Sequence, residues 1–156
     1  MANKFTKQGK EILSKLMHWC SGGEKCPADV RRWFLQRQIP ATEIDKFLDY
    51  LTENDYINES RYAAAFVHDK FLLNHWGRLK IVAELTKKQI PQSVITQAIK
   101  SGIDEDAYRD MLQNLLKKRK KLVVEKDIPA IKQKIRNFAV SKGFESGLVY
   151  QETEKL

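Results

Sequence analysis

The 156-residue chain is 42% hydrophobic and 31% charged, with seven glycines and four prolines, so it can bury a core but lacks the turn residues of a strand-rich fold. No apolar run approaches the ~18 residues of a membrane-spanning helix, and the N-terminal MANKFTKQGKEIL is too polar for a secretory signal. A cytosolic, all-helical protein is expected, and its net charge of +8 points to an acidic partner.

The first helix is expected from about Lys4 to Cys20, where Phe5, Ile12, Leu13, Leu16 and Met17 recur at helical spacing, and Ser21 to Gly23 end it. Cys20 and Cys26 flank this turn, with His18 nearby. They lack a fourth ligand and the spacing of a zinc site, and a reducing cytosol disfavours a disulfide, so no metal or redox role is assigned. Two shorter helices follow, around Val30 and Phe34 and around Ile44 and Leu48, meeting at Ile39-Pro40. Proline disfavours helix in the residue before it and suits the first turn of a new one.

The next helix starts after Asn58, a good N-cap, and is expected to reach about His75, with Tyr62, Ala63, Phe66, Val67 and Lys70 to Leu73 on its inner side. A second corner then stands at Ile90-Pro91. At an offset of 51 residues Val30 falls on Ile81, Phe34 on Leu85, Ile39 on Ile90, Pro40 on Pro91, Ile44 on Ile95 and Leu48 on Ile99. Ile39 and Ile90 therefore read as buried plugs of equivalent corners.

The third long helix begins at Asp104, carries Tyr108, Met111, Leu112, Leu115 and Leu116, and runs to about Val124, roughly 30 Å at 1.5 Å per residue. Pro129 opens the next helix. A weaker third copy, offset by 54, places Ile135 on Ile81, Ala139 on Leu85 and Phe144 on Ile90, with Gly143 as a helix stop. Such self-similarity marks repeats that bury their apolar faces on one another. The expectation is nine helices in three tandem three-helix repeats, at 1–57, 58–103 and 104–156, forming an elongated curved array.

From Lys117 to Lys142 there are ten basic and two acidic residues, while the rest of the chain is balanced, so the entire excess charge lies in this segment. Lys117, Lys118, Arg119, Lys120, Lys121, Lys132, Lys134, Arg136 and Lys142 are the candidate contacts to phosphates or an acidic protein face. Arg31, Arg32, Arg37, Lys87 and Lys88 form a secondary, exposed set. Arg61 is expected to pair with a nearby carboxylate. Trp33, Trp76 and Tyr50 could pack repeats together or stack on a base, and packing is favoured.

No phosphate loop, dinucleotide fingerprint, nucleophile elbow or H-E-x-x-H motif occurs. Asp45 with Asp49, and Asp104 with Asp106, lie at helix starts or on polar faces, where a carboxylate suits the helix dipole or water. His68 and His75, seven apart, read as surface residues of one helix face. No catalytic residue and no cofactor is expected.

Three stretches carry a family likeness: NDYINESRYAAAFVHDK (Asn54–Lys70), GRLKIVAELTKKQIPQSVITQAI (Gly77–Ile99) and RNFAVSKGFESGLV (Arg136–Val149). In order and spacing they resemble the RecX family of bacterial RecA regulators. The matching positions are Tyr56, Ile57, Asn58-Glu59, Arg61, Tyr62-Ala63 and Phe66, then Gly77, Arg78, Lys80-Ile81, Glu84-Leu85 and Lys87-Lys88. Asp55 and Gln89 depart from the pattern by standing where glycine is common. Cys26-Pro27 replaces the usual serine or threonine cap.

The resemblance implies tandem three-helix repeats without a catalytic centre. It implies a monomer that binds the RecA filament on single-stranded DNA along its groove. It implies modulation, in the inhibitory direction, of RecA's ATP hydrolysis, strand exchange and co-protease activity, and so a place in recombination, DNA repair and the SOS response. Two other readings follow from the residues alone. One is a basic nucleic-acid-binding module that acts without RecA. The other is a helical scaffold whose charge serves solubility.

Overall fold

The computed structural model describes residues 4–156. Among these there are nine α-helices and no strand: α1 (Lys7–Ser21), α2 (Pro27–Gln36), α3 (Ile44–Glu53), α4 (Glu59–Leu72), α5 (Arg78–Lys87), α6 (Gln92–Gly102), α7 (Glu105–Leu122), α8 (Ile128–Ser141) and α9 (Ser146–Glu154). A short 3-10 turn, Ala41–Glu43, leads into α3. Among the described residues no helix is long and apolar enough to cross a membrane.

Local chemistry sets most of the boundaries. Thr6 caps α1 by accepting from the Gly9 N–H at 3.0 Å, so the helix starts later than the apolar spacing implies. Asn58, Asp104 and Asp127 cap α4, α7 and α8 in the same way. α2 begins at Pro27, where the missing N–H costs nothing. α4 stops at Leu72, short of the expected His75. His75 adopts a left-handed φ of 57°, and the Trp76 N–H turns back to the Lys70 carbonyl at 2.9 Å. His75 therefore leaves the face that carries His68, and its Nδ1 lies 2.9 Å from Met111 Sδ on α7.

The repeated corners share one backbone device. The N–H groups of Ile39, Ile90 and Phe144 reach back to the carbonyls of Phe34, Leu85 and Ala139. In each case the preceding residue is left-handed: Gln38 (φ 55°), Gln89 (φ 61°) and Gly143 (φ 100°). This is the Schellman helix ending, normally given to glycine. Asp55, where the resemblance favours glycine, is likewise left-handed at φ 62°. Ile90 and Phe144 are buried as expected, but Ile39 is only half-buried. Beside it a groove lined by Phe5, Ile12, Pro40 and Phe47 stays open, so this plug is incomplete.

The helices fall three to each of the stretches 4–57, 58–103 and 104–156, and each helix from α2 onward packs chiefly within its own group. Their buried side chains nevertheless form two clusters. One holds Phe5, Leu13, Leu16, Val30, Trp33, Phe34, Phe47 and Leu51 of the first group. The other runs unbroken from Tyr62 to Val149, and Cys26 of the first group joins it. The second and third groups thus share a core, and the first keeps its own.

Candidate polyanion interface

The basic segment is built from the last turns of α7, the linker 123–127 and α8. Leu112 and Leu116 anchor α7 in the core, which turns Lys117, Lys118, Arg119, Lys120 and Lys121 outward; all five are exposed. Cations at the C-terminal end of a helix also suit its dipole. The two acids of the segment are already engaged. Glu125 lies 3.5 Å from Lys134 and accepts from the Lys126 N–H, while Asp127 caps α8. Those bonds, led by the backbone donors, hold Glu125 below the usual carboxylate range. Among the described residues none of Lys117, Lys118, Lys120, Lys121 and Lys126 has a carboxylate within ion-pair distance.

The nine candidate cations do not converge on one face. Arg119 and Lys134 line an open groove between α7 and α8, where the Arg119 guanidinium lies 4.3 Å from the Phe138 ring centroid. Lys117 borders a different, polar cleft with Asp106, Asp110 and Lys155. Lys132 and Arg136 both pair with Glu154 of α9, and Arg136 also stacks on Tyr150 at 4.2 Å. Lys142 reaches across to the Asn74 carbonyl at 2.9 Å. Burial first, and then Lys80, depress its pKa below the ordinary lysine value.

The secondary set is more committed to structure than its charge implies. Arg31 lies 3.6 Å from Asp45 and Arg32 lies 3.2 Å from Asp29. Arg37 stacks on Trp33 at 4.0 Å, and Lys87 pairs with Glu84 one turn away. Lys88 is half-buried rather than exposed, its ammonium 2.5 Å from buried Asp29. Burial alone would raise the Asp29 pKa; Lys88 and the Cys26 N–H outweigh it and hold the carboxyl below its ordinary value. Arg61 pairs as expected, at 2.6 Å from Glu24 and 3.3 Å from Asp55.

Of the uncertain aromatics, Trp33 is buried against Phe34 and Tyr50 sits edge-on to Phe5. Trp76 is partly exposed, with Lys70 and Lys80 lying 4.9 Å and 4.4 Å from its ring and Phe66 beside it. Lys80 abuts Gly143, next to Lys142. The cationic cluster of Lys70, Lys80 and Lys142 escaped the sequence reading because its members come from α4, α5 and the residue just past α8. Among the described residues no group of three or more histidine, cysteine, aspartate or glutamate side chains is arranged to hold a metal ion.

Residues 58–99 match the family model described as RecX, second three-helix domain. A Regulatory protein RecX of Lactococcus lactis subsp. cremoris is 29% identical over 139 residues, covering 88% of this chain and 51% of that protein. One of Clostridioides difficile is 31% identical over 122 residues, covering 78% of this chain and 57% of its own length. The chain belongs to the RecX family. Its fold agrees with a crystal structure of a regulatory protein RecX at a TM-score of 0.85 and 20% identity, over 94% of this chain and 72% of the other. RecX from Lactobacillus salivarius aligns at 0.79 and 19% identity, over 92% and 93%. The chain spans about half the length of the first two Lactococcus relatives it matches.

Proposed function

We propose that this protein is a non-catalytic regulator that binds the RecA–single-stranded DNA filament in its groove and lowers RecA's ATPase, strand exchange and co-protease activity. The observation that carries this reading is the RecX family match, centred on residues 58–99, together with relatives named as regulatory proteins. The division into repeats at 1–57, 58–103 and 104–156 belongs to the same reading, as do a monomeric state and a cytoplasmic location.

Physical features support it. A linked series of three-helix groups can touch several subunits of a filament at once, and α7, about 27 Å long, can span a groove. The unpaired lysines of α7 provide the electrostatic part of the contact. Inhibition of this kind needs complementary surface rather than a nucleophile. RecA's DNA-dependent ATPase, measured with this protein at substoichiometric to equal ratios, should fall; an unchanged rate with a matched RecA overturns the proposal.

A second reading, a basic nucleic-acid-binding module independent of RecA, is favoured by the exposed lysines alone. Phosphate contacts would make binding weaken steeply with salt and ignore base sequence. Gel-shift titration across salt concentrations decides between them. Strong, salt-sensitive DNA binding with no gain on adding RecA favours the module.

A further inference from the structure

The α7–α8 groove combines two features that nucleic-acid binding does not require together. Its wall holds two cations, Arg119 and Lys134, and the unpaired Lys118 stands one helical turn before Leu122 on α7. Its floor and lip are aliphatic and aromatic: Leu122, Val123, Val124 and Phe138 line an open space of about 590 Å³. Leu122 is 70% exposed, Val124 93% and the nearby Ile128 66%. Three large exposed aliphatic side chains within seven residues, spanning the end of α7, the linker and the start of α8, are unusual for a chain in water. They offer nothing to a phosphate, and aliphatic groups provide no stacking surface for a base. The groove's one ring, Phe138, already carries the Arg119 guanidinium.

We infer that this groove is a docking site for a protein segment that alternates carboxylates with large apolar side chains. The apolar residues of such a segment cover Leu122 and Val124 and fill the space over Phe138. Its carboxylates meet the lysines at the end of α7 and compete with Glu125 for Lys134. Charge complementarity selects the partner, because Glu125 and Asp127, the segment's own acids, are already bound within the protein. This deepens the filament reading by giving the α7–α8 face to protein contact rather than to DNA.

The test titrates three fluorescent probes: a short peptide alternating glutamate with leucine and phenylalanine, its glutamine counterpart, and an oligo-dT strand. Each is measured against the native protein and the double variant Leu122→Ser/Val124→Ser. Both side chains are exposed, so the variant keeps the core; circular dichroism verifies the fold. The acidic peptide should bind the native protein, with the glutamine peptide at least about tenfold weaker. The double variant should lose at least about tenfold in affinity for the acidic peptide, with oligo-dT binding unchanged. No binding of the acidic peptide, equal binding by the variant, or a parallel loss of oligo-dT affinity overturns the inference. RecA ATPase is measured separately on the native protein. No effect on RecA, with peptide docking intact, would remove the filament reading and leave the docking site standing.

Discussion

The two junctions between helix groups solve the same packing problem with different chemistry. In each, the residue capping the second helix of one group faces the last corner of the next. At the second junction that cap is Gly77. Its N–H donates to the Lys142 carbonyl at 2.8 Å, and the Leu79 N–H donates to the Gly143 carbonyl at 3.0 Å. The backbones lie so close that a Cβ on Gly77 would stand 2.3 Å from the Gly143 carbonyl carbon, and one on Gly143 would stand 2.4 Å from Lys80 Cβ. Tyr108 completes the joint, accepting from the Arg78 N–H and donating to Glu145.

At the first junction the equivalent cap is Cys26, followed by Pro27. Proline has no N–H, and the Cys26 N–H is taken by Asp29 at 3.1 Å. No backbone hydrogen bond crosses this joint among the described residues. Lys88, the counterpart of Lys142, instead reaches Asp29, and Arg61 reaches Glu24. Where backbone can approach backbone the cores merge. Where a side chain and a proline intervene, ion pairs take over, and Cys26, with half-buried Ala28 beside it, reaches the neighbouring core.

Gly77→Ala should break this contrast most forcefully. The added methyl group has only backbone to displace, so chemical denaturation should register a loss of more than about 3 kcal/mol. Cys26→Ala, at the same repeat position, should cost only about 1 kcal/mol. Equal losses at the two sites would erase the distinction. Lys88→Ala should cost about 1–2 kcal/mol by leaving Asp29 buried without its cation, and Asp29→Asn/Lys88→Met should recover part of it.

Tyr108→Phe strips the Arg78 N–H of its acceptor and should cost about 1–2 kcal/mol in the same assay. Tyr62→Phe, the corresponding change at the first joint, should cost about half as much. Acid should reveal the ionic joint. At that joint burial would raise the Asp29 pKa, but Lys88 and the Cys26 N–H hold it below its unfolded value; within the third group Glu152 is lowered likewise, first by Gln113 and then by Lys155 and Arg109. The unfolded chain therefore binds more protons. Stability from these groups is complete above about pH 4.5 and declines as pH falls through their folded pKa values. A Lys88→Ala protein should show less of this decline. Gln89→Gly should give the smallest effect, a gain of up to about 1 kcal/mol from relieving a left-handed glutamine.

Most helices were legible because their signals are local. Asn58, Asp104 and Pro129 announce helix starts, and the Ile-Pro corners announce stops. Arg61 could be given a carboxylate partner but not which one: Asp55 stands close by in the chain, while the shorter pair is to Glu24, 37 residues away. The junctions were not legible, since nothing near Gly77 tells which distant backbone lies against it, and Asp29 reads as an ordinary first-turn acid until Lys88 arrives from another group. The basic segment shows the same limit. Its charge excess is plain in the sequence, but Glu154 draws Lys132 and Arg136 to α9 while Lys142 turns toward Asn74, dividing what looks like one patch.

The most direct test of the regulatory account is RecA's single-stranded-DNA-dependent ATPase with native protein beside the Lys117→Glu/Lys120→Glu/Lys121→Glu variant. The native protein should depress the rate, and the variant should require at least about tenfold more protein for the same effect. A rate that the native protein leaves unchanged, or that both proteins depress equally, would contradict the account.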